Sequence, residues 1–171
     1  VNKIVTELLM LSKPSQPNYR EVALAQVLDS ILPLIKAEAT LHGIEIVDLC
    51  DKETRMPVDV EQLKQILLNL MKNSIEAMRQ GGVLTVENRV DENYVNIHIR
   101  DTGEGIPPEH LNRIFDPFFS LKEDGTGLGL PITRRMVENH GGDMRIFSKV
   151  GEGTEIVISL PIQPRALEGS A

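Results

Sequence analysis

DVEQLKQILLNLMKNSIEAMRQ, residues 59–80, carries the strongest helical pattern in the chain and stops at Gly81 and Gly82. At about 100° per residue, Val60, Leu63, Leu67, Leu70, Met71 and Met78 fall towards one side, which has to be buried. The rest of its surface carries Gln62, Gln65, Asn69, Lys72, Asn73 and Glu76. Asn69 and Asn73 stand at i and i+4, so their amides are neighbours. A polar face of this kind is ordinarily just a solvated one. Asparagine, however, is a mediocre helix former, and two in mid-helix cost something without an evident structural return. Amide oxygens suit a hard cation such as Mg2+, especially one that keeps water ligands and holds substrate phosphates.

After it, residues 83–90 and 94–100 alternate as strands around Asp91, Glu92 and Asn93, a hairpin pattern. Upstream, residues 19–22 read as a short strand and 44–49 as another. Between them a helix is expected over 24–41, with Leu24, Val27, Leu28, Ile31, Leu34 and Ile35 inward, a kink at Pro33 and a stop at Gly43. Downstream of a Gly/Pro-rich middle, a helix is expected over 128–140, ended by Gly141 and Gly142. Strands over 143–148 and 154–160 follow, joined by a turn with Gly151 and Gly153, and from Pro161 the chain reads as a frayed tail. Helices and strands do not alternate as βαβ units. The expected class is α+β, a two-layer sandwich whose mixed, largely antiparallel sheet has helices on one face.

Residues 1–12 place Ile4, Leu8 and Leu11 at helical spacing without a start signal, and Lys13, Pro14, Ser15, Gln16 and Pro17 stop the pattern. This reads as the end of a longer helix, which divides the chain into residues 1–14, a domain over 15–162 and a tail over 163–171.

The 171 residues balance 18 Lys and Arg against 25 Asp and Glu, a net charge of −7, which fits one ordinary globular domain. Apolar runs are far shorter than the ~20 residues that cross a bilayer, and residues 1–12 show no secretory cleavage pattern. A cytoplasmic setting without membrane contact is expected. The single cysteine, Cys50, excludes an internal disulfide and a multi-cysteine metal site. The acidic balance argues against general nucleic-acid binding but leaves a nucleotide ligand open. His42, His98, His110 and His140 show no metal-ligand spacing.

Further stretches carry chemistry. Asp101-Thr102-Gly103-Glu104-Gly105-Ile106 follows a strand directly. It is either a plain Asp-Gly turn or a ligand loop, in which the glycines allow close backbone approach and Asp101, an acceptor, suits the donor amine of adenine. Gly125-Thr126-Gly127-Leu128-Gly129-Leu130 opens a helix with Pro131 in its first turn, a flexible loop or a phosphate-binding helix start. No Gly-Lys-Ser/Thr follows, and no strand immediately precedes it, so it is neither a P-loop nor a Rossmann fingerprint. Between the two lie Phe115, Phe118 and Phe119, core residues or an exposed docking patch. Lys122 is a solvated lysine or one that reaches a phosphate. Thr154, after Gly151-Glu152-Gly153, is a strand residue after a turn or a group that bonds a base edge or a water.

In order and spacing, Asn69-Leu70-Met71-Lys72-Asn73-Ser74, Asp101 to Ile106, Phe115-Asp116-Pro117-Phe118-Phe119 and Gly125 to Leu130 resemble the N, G1, F and G2 boxes of sensor histidine kinases, within the superfamily shared with gyrase, a heat-shock chaperone and mismatch-repair ATPases. The resemblance spans roughly residues 19–161, with Gly153-Thr154 as the last box, and points to the sporulation- or nitrogen-regulation-type subgroup. It implies an ATP-binding sandwich in which Asn73 ligates Mg2+ and Asn69 stands beside it near the phosphates. Asp101 would accept from the adenine amine, with Gly103, Gly105, Ile106 and Thr154 around the base. Lys122 and the lid of Gly125, Thr126, Gly127, Leu128 and Gly129 would cover the phosphates. Asn69, Asn73 and Lys122 would be the catalytic set, and the phenylalanines would help dock a dimeric helical phosphoacceptor domain. Hydrolytic members of the superfamily place a glutamate base four residues before the metal-binding asparagine. Here that residue is Asn69, which cannot take a proton, so the resemblance implies transfer rather than hydrolysis. The family's phosphoacceptor histidine is absent, so the acceptor domain and the response regulator are separate partners. The same fold also serves serine kinases of the anti-sigma type and non-catalytic nucleotide-binding modules.

Overall fold

The computed structural model describes residues 2–12 and 16–163. Along the chain run α1 (Asn2–Ser12), β1 (Arg20–Ala23), α2 (Leu24–Leu41), β2 (Ile44–Asp48), β3 (Arg55–Val58) and α3 (Val60–Glu76). Then come β4 (Gly82–Val90), β5 (Tyr94–Asp101), the short α4 (Pro108–Leu111), α5 (Gly129–Asn139), β6 (Asp143–Lys149) and β7 (Gly153–Pro161). Five strands form one sheet in the order β2-β4-β5-β7-β6, antiparallel except for β2 against β4. β1 and β3 pair separately, antiparallel. The expected α+β sandwich is the fold found.

Alternation explains the layering. In β5, Val95, Ile97 and Ile99 are buried, while His98 and Arg100 lie on the other side of the strand. The inward rows of β4, β5 and β7 meet Leu63, Ile66, Leu67, Leu70 and Met71 of α3, with α2 and α5 beside it in one core. The outer side carries a charged ladder instead: Glu87 accepts from Arg100 at 2.7 Å, and Glu155 contacts both Arg100 and His98. The Arg100 hydrogen bond holds the Glu87 carboxyl below its usual range.

Several expectations are corrected. α3 ends at Glu76 rather than residue 80, because the Ala77 carbonyl is taken by the Glu104 N–H and the chain turns towards β4; Met78 is still buried. α2 is one unbroken helix around Pro33, whose ring is on the exposed face where no packing depends on it. Leu34 is 57 % exposed, and Leu32 takes its place in the core. Pro161 belongs to β7 and is buried, and the Ile162 N–H bonds the Asn93 carbonyl, so the tail does not begin there. β3 and α4 were not anticipated. In α1, Leu11 packs against the core and Gln65 reaches Met10, but Ile4 and Leu8 are exposed. Lys13, Pro14, Ser15 and residues 164–171, which bear on the domain limits, lie outside the described residues. Among the described residues no helix is long and apolar enough to cross a membrane.

His140 fastens α5 to α3. It is buried, its Nδ1 lies 2.8 Å from the Met136 carbonyl, and its Nε2 accepts from the Asp59 N–H at 3.2 Å. Since the carbonyl can only accept, the ring is neutral with its proton on Nδ1. Burial pushes its pKa below the ordinary 6.5. The unfolded chain therefore binds the proton first, and stability falls as pH drops below about 6.5 towards the folded value. Urea unfolding at pH 7.5 and 5.5 is expected to show a loss at the lower pH that His140→Gln reduces. An identical pH response in the variant would refute the assignment.

Candidate active site

Asp101 is the last residue of β5, half-buried between the end of α3 and the start of β7. Its Oδ1 accepts from the Gly103 N–H at 2.9 Å and the Thr154 N–H at 3.2 Å. Burial raises its pKa; those two bonds and one with Ser74 oppose the rise without cancelling it. A carboxylate half-buried against its own solvation preference gains from any further donor brought to it.

The loop after Asp101 is built by close backbone approaches. A Cβ on Gly103 would stand 2.6 Å from the Ala77 carbonyl oxygen, and one on Gly105, at φ +74°, would stand 2.2 Å from that of Lys149. The intimate approach expected of these glycines is thus to the chain's own backbone. It clamps the loop between the end of α3 and the β6–β7 turn, where the Gly151 N–H bonds the Glu104 carbonyl. The Ile106 N–H donates to Ser148 Oγ at 2.8 Å, and that hydroxyl lies 2.7 Å from the Thr154 hydroxyl. Ile106 and Thr154 therefore share one network around Asp101.

The lid leaves α4 and returns to α5. Phe118, 62 % exposed and at φ +69°, donates its N–H to the Gly127 carbonyl, and a Cβ on Gly127 would fall 2.4 Å from the Phe118 carbonyl carbon. The Gly125 N–H bonds the Lys122 carbonyl, and Ser120 bonds Lys122 at both backbone groups. Thr126 Oγ1 accepts from the Leu128 N–H, Leu128 is buried, and α5 starts at Gly129 with no side chain capping it. Phe115 packs against the core under Arg134, and Phe119 lies under Arg113. Only Phe118 of the three is exposed.

Lys122 crosses from the lid to α3. Its Nζ donates to Asn73 Oδ1 at 3.5 Å and pairs with the Glu76 carboxylate one turn further on. Glu76 was read only as a surface residue, and its spacing of three from Asn73 was the available signal. Asn69 donates from Nδ2 to Thr133 Oγ1 of α5 at 3.3 Å. Ser74, Ser148 and Thr133 were not anticipated either, since nothing local marks them. The predicted residues thus form two ends of one region, Asp101 with Thr154 and the glycine loop at one, Asn69, Asn73 and Lys122 at the other, both served by the α3 segment from Asn69 to Ala77. The amide oxygen of Asn73 faces the Lys122 ammonium, and a neutral oxygen donor of this kind fits a hard metal ion.

Residues 58–164 match the family described as histidine kinase-, DNA gyrase B-, and HSP90-like ATPase. The chain belongs to that family. It is 40 % identical over 163 residues to sporulation kinase A of Bacillus subtilis (strain 168), covering 94 % of this chain and 27 % of that protein. Against the sensor histidine kinase ZraS of Klebsiella oxytoca it is 37 % identical over 164 residues, covering 95 % and 36 %. The chain spans about a quarter to two fifths of the curated relatives it matches. Among solved structures, full-length ShkA in complex with AMPPNP superposes with a TM-score of 0.84 at 26 % identity, covering 96 % of this chain and 36 % of that one. The catalytic domain of the histidine kinase ThkA gives 0.78 at 27 %, covering 86 % and 97 %. Within that family the chain is accordingly a domain of the histidine-kinase branch.

Proposed function

We propose that this domain transfers the γ-phosphoryl group of Mg-ATP to a histidine on a separate, dimeric helical domain, and that the whole protein passes it to a response regulator. The observation that carries this reading is the composition of α3 at the phosphate end. Asn73 meets the lid lysine, Asn69 stands one turn before it, and no carboxylate stands four residues before Asn73 to take a proton from water. Phosphoryl transfer depends chiefly on alignment and charge neutralisation. Mg2+, when bound, would supply neutralisation of phosphate charge, with Asn73 as its protein ligand. Asp101 orients the base, Lys122 offers a positive charge from the lid, and the uncapped start of α5 presents backbone N–H groups.

Three of the four histidines are engaged within the domain: His140 is buried, His98 is paired with Glu155 and His110 packs on Phe119, while His42 is exposed at the end of α2. The resemblance implies an acceptor outside this domain. The exposed Phe118 is the part of the aromatic cluster offered to it. A response regulator as the downstream partner draws support from ThkA, solved in complex with the response regulator protein TrrA (TM-score 0.81, 27 % identity, covering 95 % of this chain and 47 % of that one). A cytoplasmic setting follows from the same reading.

Incubation of the chain with labelled Mg-ATP and a separately made acceptor domain is expected to give acid-labile, base-stable label on histidine. Acid-stable label would point to a serine kinase, and ATP binding without transfer to a nucleotide-sensing module. Either result would overturn the proposal.

A further inference from the structure

Asn69 has an amide whose two ends differ chemically, and the end it offers a ligand decides its usefulness to a cation. The neighbour that fixes this choice is Thr133. It lies on α5, one turn beyond Gly129, with no exposed surface. Its Oγ1 is 2.8 Å from the Gly129 carbonyl oxygen and 3.3 Å from Asn69 Nδ2. A threonine hydroxyl has a single proton and lone pairs for acceptance. The carbonyl has no proton to give, so the shorter contact uses the hydroxyl proton. A lone pair is left for Asn69, and only the NH2 end of the amide can meet it. The amide oxygen would set two acceptors against each other.

The consequence reaches along α3. With Nδ2 committed to α5, Oδ1 is the atom Asn69 can offer a ligand, and among the described residues no group donates to it. One turn on, Asn73 Oδ1 accepts from Lys122. The two amides then present two oxygens. A hard cation calls for oxygens, and an NH2 in either place would turn its positive end towards the ion. Gly129, whose carbonyl holds the Thr133 proton, is also where the glycine lid ends, so one helical turn sets both the exit of the lid and the orientation of Asn69.

We propose that Thr133 is a positioning residue for phosphoryl transfer, which holds Asn69 with its amide oxygen free for the metal-phosphate end of the site. This rests on the function proposed above.

The test uses Thr133→Val, which keeps the shape and removes the hydroxyl, and Thr133→Ser, which keeps the hydroxyl, each alone and combined with Asn69→Ala. In nucleotide-free protein, the Asn69 side-chain amide signals in a 15N-labelled sample are expected to shift and exchange faster in Thr133→Val and to stay in place in Thr133→Ser. With Mg-ATP and acceptor domain, Thr133→Val is expected to slow transfer about tenfold, with ATP affinity within about threefold of the parent. Thr133→Ser should stay near the parent rate. In the Asn69→Ala background, Thr133→Val should add less than about a twofold loss, because the residue it acts through is gone. Unmoved Asn69 signals, a serine variant as slow as the valine one, or losses that multiply in the double variant would each overturn the proposal. A parent chain that fails to transfer refutes the function instead, while the amide signals still decide the orientation.

Discussion

Asp101→Asn is expected to abolish most nucleotide binding while leaving the fold intact or firmer. The asparagine oxygen can keep the bonds from the Gly103 and Thr154 N–H groups, so the end of β5 stays as built. What changes is the other half of the group, where an acceptor becomes an NH2 donor. Facing the amine of adenine, it loses a charge-assisted bond and sets donor against donor, together about 3–4 kcal/mol, or roughly 100-fold or more in affinity. The sign of the stability effect follows from burial. Asp101 has its pKa raised above the ordinary 3.8, so the folded state binds the proton more readily than the unfolded one. Stability contributed by this group therefore declines as pH rises from the unfolded value through the folded one, and at pH 7 the buried charge is a net cost. Removing it is expected to raise the thermal midpoint by about 2 °C. Titration calorimetry and a melt on one sample check both halves. Retained ATP affinity would refute the placement of the purine.

Asn73→Ala is expected to remove the Mg2+ dependence of ATP binding. In the parent, Mg2+ should strengthen ATP affinity; in the variant, titrations with and without Mg2+ should coincide, and transfer to an acceptor should fall about 100-fold or more. The helix itself should not suffer, since alanine is the better helix former and Asn73 is only half-buried. Lys122 keeps Glu76, so the lid retains its larger electrostatic tie to α3. A variant that still binds ATP more tightly with Mg2+ would move the metal elsewhere.

Period and punctuation made much of the architecture readable. Strict alternation in 94–100 fixed which side of β5 is buried, and glycine pairs at 81–82 and 141–142 marked where two helices give way to strands. Asp101 was legible because it ends a run of alternating apolar residues just before glycines. β3 was not, because four residues including Pro57 leave no periodicity and its pairing with β1 lies about 35 positions away in sequence. α3 was read too long because the partner that ends it, Glu104, is 27 residues beyond Ala77. Separation in sequence likewise hid Ser74 beside Asp101, Thr133 beside Asn69 and Glu76 beside Lys122. Each of these pairs is made by packing, and neither member has a local pattern that announces the other. The asparagines could be singled out by their cost to the helix, but the orientation of an amide is a property of its neighbour.

β7 lies inside the sheet, between β5 and β6, although it comes after both in the chain. During synthesis the N-terminal part leaves the ribosome with β5 bare along one edge and β6 with no strand to lie against. The backbone amide of Thr154, which holds the Asp101 carboxylate, arrives only with that final strand. A half-made chain therefore lacks one of the two backbone donors that hold Asp101, and on the proposed function its nucleotide site is completed only when the last strand has been made.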